Sequence, residues 1–169
     1  MNKVLKMDEI DKQIINLVQK KPYITHYQIA SKVNRSQPSI GKRIKKLKEA
    51  GVLQFHAGIN IKATMDEMYY AIVALKTKNL DDIHTAVKHC PLILNAFSLF
   101  GCLDVIVLLA GFTLEELHKI VDFYFRNKQS IKNVTVDIIS DVICDFILPL
   151  NLDLKNCDCD LRGDCIVHQ

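Results

Sequence analysis

Three cysteines lie close together near the end of this sequence of 169 residues. Cys157, Cys159 and Cys165 fall within nine residues and are set among aspartates and a glycine, so they do not form an apolar core stripe. Three thiolates that a turn brings together can bind zinc or an iron–sulfur cluster, and each kind of site usually needs a fourth ligand. His168 follows at a suitable distance to complete a zinc site with three cysteines and one histidine.

The spacing Cys-x-Cys-x5-Cys resembles the last three ligands of the Cys-x2-Cys-x-Cys-x5-Cys motif of redox-sensing MerR-type regulators, which carry a 2Fe–2S cluster. Leu154 stands where the first cysteine of that motif would be. An iron–sulfur cluster is therefore one interpretation, and zinc, a thiol/disulfide switch and an unliganded tail are the others. The candidates for the fourth cluster ligand are His168, Cys144, Cys102, Cys90 or a group from another subunit.

Composition limits the class of protein. Apolar residues make up 49% of the chain, so a packed core is expected. The apolar runs Val105–Phe112 and Val142–Leu150 are far shorter than the roughly 20 residues that cross a bilayer. Charged residues interrupt Met1–Lys21, unlike a signal peptide. We therefore predict a cytoplasmic protein with no membrane partner, in which a disulfide framework is not expected.

The charge of the chain is divided unevenly. Residues 1–58 contain twelve lysines and arginines against four acidic residues, a net charge of +8. Residues 59–169 contain ten against fifteen, a net charge of −5. A basic first domain joined to an acidic second one is expected when only the first domain binds a polyanion such as double-stranded DNA.

The basic half has the pattern of a helix-turn-helix. Apolar residues recur at helical spacing over Met7–Val18, and Thr25 is a suitable N-cap for a short second helix. Asn34 tolerates the left-handed backbone of a tight turn. Ser36 is then predicted to cap a third helix that ends at Gly51. The alternating segment that follows predicts a short hairpin or strand over Val52–Ile59, which would be a wing.

The third helix is predicted to bind DNA. Its short polar side chains lie at its N-terminal end, where recognition helices meet base edges, and its lysines are placed to contact phosphates. The predicted DNA-binding residues are Ser36, Gln37, Ser39, Lys42, Arg43, Lys45 and Lys46.

The stretch Met7–Asn60, above all SIGKRIKKLKEAGV at Ser39–Val52, resembles the winged helix-turn-helix of the Lrp/AsnC (feast/famine) regulators. That family commonly has glycine where Asn34 stands and has no proline where Pro38 stands. The resemblance implies a dimeric or larger DNA-binding regulator.

The second half predicts a ferredoxin-like domain. Strands are expected at Met68–Lys76, Leu92–Phe100, Leu103–Ala110 and Val134–Phe146, and helices at Asp81–Cys90 and from Thr113 to about Asn127. Thr113 and Glu116 form a capping box. The order βαββαβ is the split-βαβ arrangement.

The span Met68–Leu150 also resembles the ligand-sensing domain of the Lrp/AsnC regulators, especially at Gly101-Cys102-Leu103-Asp104. The family usually has Gly-x-Tyr-Asp there, so Leu103 departs from it. The resemblance implies that Gly101, Cys102 and Asp104 help bind an amino-acid-like effector, with Asp104 receiving an ammonium group. It also implies that sheets of two subunits pack face to face. The alternative is a tight turn in which Asp104 bonds to its own backbone.

We therefore predict an α+β chain with four parts: a winged helix-turn-helix domain at 1–58, a linker strand at 59–67, a ferredoxin-like domain at 68–150 and a cysteine-rich tail at 151–169. Its predicted function is sequence-specific transcriptional regulation, modulated by an effector, by a redox or metal signal, or by both. The rival is an electron carrier or redox enzyme with a helix-turn-helix-like scaffold. No nucleophile–base pair or cofactor fingerprint occurs in the chain, so we do not expect an enzyme.

Overall fold

The computed structural model describes residues 5–150, which belong to two compact units divided between His56 and Ala57. The first unit contains three helices: α1 (Glu9–Lys20), α2 (His26–Lys32) and α3 (Gln37–Glu49). Apolar residues spaced three or four apart on each helix bury one face of it. The fully buried core residues of this unit are Ile14, Ile29, Ile40 and Leu47.

The predicted caps and turn of this unit are largely confirmed. The Thr25 Oγ1 atom accepts the Gln28 amide at 3.2 Å, and Gln28 Oε1 accepts the Thr25 amide at 3.1 Å, a capping box that fixes the start of α2. Asn34 has a φ of 51°, the left-handed conformation of the predicted turn. Ser36 precedes α3, but its side chain makes no capping hydrogen bond.

The predicted wing over Val52–Ile59 differs from the structure. A strand, β1 (Ile59–Asn60), forms only at the end of this segment, and residues 52–58 form no hairpin. Leu53 is instead buried in the helical core, and Lys48 lies over the Phe55 ring with Nζ 5.4 Å from its centroid. Leu53 therefore joins the helical core, while Val52 and Phe55 stay exposed.

The second unit is built on a four-stranded antiparallel sheet. Its elements are β2 (Tyr69–Thr77), α4 (Asp81–His89), β3 (Ile93–Ser98), β4 (Val105–Gly111), α5 (Leu114–Val121), a π-helical turn (Asp122–Arg126) and β5 (Ile131–Ile138). The strand order is β3-β4-β2-β5. This order confirms the predicted ferredoxin-like α+β fold, and Thr113 and Glu116 form the predicted capping box of α5.

Both helices cover one face of this sheet. Alternate residues of β2, such as Val73 and Leu75, pack against Ala86 of α4 and Leu117 of α5. The opposite face carries Ile72, Ala74, Ile106, Leu108 and Phe97, and neither α4 nor α5 covers it. Ile72 and Phe97 are exposed there.

The last predicted strand, Val134–Phe146, is wrong in its extent. β5 ends at Ile138, and one further bond joins the Ile139 amide to the Tyr70 carbonyl at 2.8 Å. Because β2 begins at Tyr69, no further ladder partner is available for the chain beyond this point. Ile139 and Val142 pack instead beside Tyr70 and Ile61 in a separate small core.

The chain then returns to pair with β1 through β6 (Ile147–Leu148). Two side chains extend this pairing. The Asn60 side chain donates through Nδ2 to Asp145 Oδ1 at 3.0 Å, and its Oδ1 atom accepts the backbone amide of Phe146 at 3.2 Å. Lys62 Nζ donates to the Ile143 carbonyl at 2.9 Å. We call this association of residues 59–62 with residues 143–148 the clasp.

Gly58 is needed for the clasp. A Cβ atom on Gly58 would lie 2.6 Å from Ile147 Cγ2 and 2.9 Å from the Leu148 carbonyl oxygen. The second of these is backbone that pairs with β1, so it cannot move without opening the strand pair. The close approach of the two chain segments therefore requires glycine at this position.

Candidate nucleic-acid interface and effector loop

The third helix presents a basic face to the outside. Burial of Ile40, Ile44 and Leu47 fixes the inward side of α3. At 100° per residue, Lys42, Lys45 and Lys46 fall on the opposite side, and all three are exposed. Glu49 lies 3.7 Å from Lys45 Nζ, an exposed pair that constrains the lysine little. The predicted phosphate contacts thus share one accessible surface.

The turn before this helix is held by backbone hydrogen bonds. The Arg35 amide donates to the Ala30 carbonyl at 3.0 Å, and the Ile40 amide donates to the Ser36 carbonyl at 3.1 Å. Ser36 and Gln37, at the start of α3, are exposed, and Ser39 is half-buried. The N-terminal end of α3, with its unpaired amides, is therefore accessible to a phosphate or a base edge.

Arg43 lies apart from this basic face. Its Nη1 atom donates to Asp8 Oδ2 at 2.8 Å and to Asp11 Oδ1 at 2.7 Å, and both carboxylates belong to the start of α1. Hydrogen bonds from Arg43 to Asp11 and then to Asp8 raise the pKa of the guanidinium above its usual range. The structure therefore gives this predicted DNA-binding residue a partner within its own unit.

The two carboxylates also cap α1. Asp8 Oδ1 accepts the Asp11 amide at 2.9 Å, and Asp11 Oδ2 accepts the Asp8 amide at 3.2 Å. The Asp11 amide and then the Arg43 guanidinium lower the pKa of the Asp8 carboxyl. Asp11 is buried, and its carboxylate accepts hydrogen bonds from the Asp8 amide and the Arg43 guanidinium. The network thus joins the beginning of α1 to the middle of α3.

The predicted effector loop lies between β3 and β4. The Asp104 amide donates to the Leu75 carbonyl at 3.0 Å, and the Leu99 amide donates to the Asp104 carbonyl at 2.8 Å. The Asp104 side chain reaches β2, where Oδ2 accepts the Thr77 amide at 2.8 Å. Asp104 is therefore anchored to the central strand of the sheet and not to the backbone of its own turn.

Gly101 and Cys102 are exposed in the same loop. A Cβ atom at Gly101 would meet nothing within 4 Å, so the space beside this residue is open. A cavity of about 570 Å³ lies next to Asp104, and lysines line it. Lys76, Lys78 and Lys132 were not predicted from the sequence as site residues. The register of β2 with β5 places Lys76 opposite Lys132, and Lys78 follows the end of β2.

The predicted metal ligands Cys157, Cys159, Cys165 and His168 lie outside the described residues. Of the other cysteines considered as a fourth ligand, Cys90 is buried, and Cys102 and Cys144 are exposed. Over residues 5–150, no three histidine, cysteine or acidic side chains converge as metal ligands. The same part of the chain contains no helix that is both long and apolar enough to span a bilayer.

Comparison with known proteins agrees with this architecture. Residues 7–54 match the family model of winged helix-turn-helix DNA-binding domains. An uncharacterised HTH-type transcriptional regulator of Pyrococcus abyssi is 29% identical over 120 residues, which cover 68% of this chain and 80% of the relative. The leucine-responsive regulatory protein of Rhizobium meliloti is 28% identical over 135 residues, which cover 77% of this chain and 85% of that protein.

Two solved structures have the same fold. Escherichia coli AsnC superimposes with a TM-score of 0.68 at 14% identity, over 84% of this chain and 97% of AsnC. A transcriptional regulator of Neisseria meningitidis, solved in complex with L-Met, superimposes with a TM-score of 0.67 at 18% identity, over 86% and 98%.

The helix-turn-helix and the ferredoxin-like sheet together define a transcriptional regulator. The relatives are named HTH-type transcriptional regulators and, in one case, a leucine-responsive regulatory protein, and AsnC has the same fold. Regulators of this type are not enzymes, which confirms the prediction that the chain is not one.

Proposed function

We propose that this chain is a cytoplasmic, dimeric, sequence-specific DNA-binding regulator whose affinity for DNA or state of assembly responds to an amino-acid-like effector. The observation that carries the DNA-binding part is the exposed basic face of α3. Lys42, Lys45 and Lys46 share that face, and the helix begins at an accessible end. A recognition helix of this kind enters the major groove with its first residues on base edges and its lysines on phosphates.

The test is DNA binding by the full chain. Sites are selected from random or genomic DNA, and affinities for the selected site and a scrambled one are then compared at several salt concentrations. We expect the selected site to bind about 10³-fold more tightly or better. We also expect a linear fall of log affinity with log salt, because bound lysines release counterions. Equal affinity for both sequences would contradict sequence-specific regulation.

The helix-free face of the sheet supports the proposed homodimer. Ile72, Ile106 and Phe97 form an apolar surface that includes exposed side chains, and a second copy would bury it. An isologous contact of this face with itself gives a closed dimer with two recognition helices. Such a dimer would bind a pseudo-palindromic site.

The Gly101–Asp104 loop supports the effector part of the proposal. Asp104 is held in place by the Thr77 amide, and the space around Gly101 and Cys102 is open. The Neisseria meningitidis neighbour was solved with L-Met, so this fold accommodates a ligand of the amino-acid class in at least one protein. An effector that binds one assembly state more tightly than another would shift the protein toward that state. The affinity for DNA would change as a result.

A second signal is proposed for the tail. Three cysteines within nine residues, with His168 beyond them, are the observation that favours it. An iron–sulfur cluster is the first candidate, a zinc site formed by Cys157, Cys159, Cys165 and His168 is the second, and a thiol switch is the third. Gain or loss of the bound group would then alter assembly or DNA binding.

A further inference from the structure

We infer that the cavity beside Asp104 binds a dicarboxylic amino acid, a ligand with one ammonium group and two carboxylates. The inference rests on the proposed function of the Gly101–Asp104 loop as an effector site, and it adds the chemical class of the effector. Four charged residues line the cavity: Lys76, Lys78, Lys132 and Asp104. Three positive charges against one negative charge favour an anion.

The rest of the lining is also polar. Every other side chain that lines the cavity is an uncharged threonine, asparagine, glutamine or serine. No aliphatic or aromatic residue lines the cavity, so its apolar surface comes from the carbon atoms of these polar and charged residues. A volume of about 570 Å³ is ample for an amino acid. The lining thus offers a leucine-like ligand no aliphatic side chain to pack against.

The cavity is framed by hydrogen bonds. The hydroxyl oxygen of buried Thr77 lies 3.0 Å from the carbonyl oxygens of Asn79 and Ser130, so it holds the loops after β2 and before β5 together. The Ser130 hydroxyl in turn donates to Asp82 of α4. The walls are therefore positioned before any ligand binds, which lowers the entropic cost of binding.

Two of the lysines repel each other. Lys76 of β2 and Lys132 of β5 are directly opposite partners in the antiparallel register. Neither they nor Lys78 take part in any ion pair formed by the described residues. Like charges in opposite positions destabilise a sheet, and a bound carboxylate would remove that repulsion. This arrangement supplies the second and stronger reason for an acidic ligand.

Asp104 accounts for the ammonium group. Its Oδ2 atom accepts the Thr77 amide, and Oδ1 accepts no hydrogen bond from any described residue. Asp104 lines the same cavity as the lysines. An amino group bound there would place the two carboxylates of the same ligand toward the positive side.

The test is calorimetric titration of the full chain, without DNA, with L-aspartate, L-glutamate, L-asparagine, L-glutamine, L-leucine and L-methionine. We expect at least one acidic amino acid to bind about tenfold more tightly than its amide and than either apolar amino acid. The inference is overturned if leucine or methionine binds as tightly as the acids. It is also overturned if no ligand binds.

Variants test which charged residues of the cavity contact the ligand. Lys132→Gln is expected to weaken binding of the acidic ligand about tenfold and to leave the fold intact, because it removes a repelling charge. Lys88→Gln, at an exposed position of α4, is the matched control and should change nothing. Succinate lacks the ammonium group, so it should bind the parent chain more weakly than aspartate does. To Asp104→Asn, succinate should bind at least as tightly as aspartate. An equal loss of affinity in Lys132→Gln and Lys88→Gln would contradict the assignment of Lys132 to the ligand site.

These outcomes separate the inference from the proposed regulator function. Selective binding of the acidic ligand by a chain that binds no specific DNA would leave the ligand class standing and remove the regulator function. Specific DNA binding by a chain that does not bind acidic amino acids selectively would leave the regulator function standing and remove the ligand class.

Discussion

Arg43 of α3 and Asp11 of α1 are joined by an ion pair of 2.7 Å between Nη1 and Oδ1, although 32 residues separate them in the chain. Asp8 receives a second bond from the same guanidinium nitrogen. Arg43 is therefore a positioning residue, which sets the orientation of the helix that carries the lysines proposed to bind DNA.

Arg43→Gln is expected to destabilise the first unit by about 1–3 kcal/mol, because buried Asp11 loses a charged partner. We expect faster hydrogen exchange at the backbone amides of α1 and α3. DNA binding should also weaken, because α3 is no longer held in its orientation against α1. The control is Lys42→Gln on the exposed face. It should leave exchange unchanged and reduce the slope of log affinity against log salt by about one. If Arg43→Gln behaves like Lys42→Gln, Arg43 contacts DNA directly, as predicted from the sequence.

Gly58→Ala is expected to open the clasp, since the new Cβ would overlap Ile147 and the Leu148 backbone. Loss of β1–β6 pairing should appear as faster hydrogen exchange of the Ile61 amide, which donates to the Phe146 carbonyl at 2.9 Å. Gly101→Ala is the matched control, because nothing lies within 4 Å of its new Cβ. Unchanged exchange at Ile61 in Gly58→Ala would show that the strand pair tolerates the methyl group.

Ile72→Glu is expected to convert the proposed dimer to a monomer. The substitution places a charge in the middle of the helix-free face, and its desolvation opposes association. Light scattering coupled to size-exclusion chromatography measures the mass. Thr85→Glu, at an exposed position of α4 on the other side of the sheet, serves as the control. A dimer that survives Ile72→Glu would mean that subunits associate through another surface.

Metal analysis decides between the interpretations of the tail. Protein purified without oxygen is expected to be brown, with iron and sulfide bound in proportion to the chain. Replacement of Cys157, Cys159 and Cys165 by serine should remove both. Colourless protein with one zinc per chain would instead support the zinc site, and metal-free protein would favour the thiol switch. Serine variants with unchanged metal content and DNA response would exclude all three.

Features fixed by neighbouring residues were predictable from the sequence. The capping boxes at Thr25 and Thr113, the left-handed Asn34 and the buried stripe of α3 all depend on residues within one or two helical turns. The ferredoxin-like order of strands and helices followed from the same local periodicities.

Features that depend on distant partners were not predictable. The sequence does not show that Arg43 meets Asp8 and Asp11, because that contact requires the packing of α3 against α1. The alternating residues of 52–58 and 139–146 had the pattern of strands but lacked ladder partners. Lys76 and Lys132 become neighbours only through the register of β2 with β5.

The clasp also orders the events of synthesis. Residues 5–56 contain every contact that their own helices need, so this unit can fold as soon as it leaves the ribosome. β1 follows immediately but cannot pair until Ile147 and Leu148 have been translated, nearly 90 residues later. The segment that leads out of the helix-turn-helix is therefore the last part of the described chain to be secured. The helical unit is therefore complete before the strand that follows it in the chain is paired.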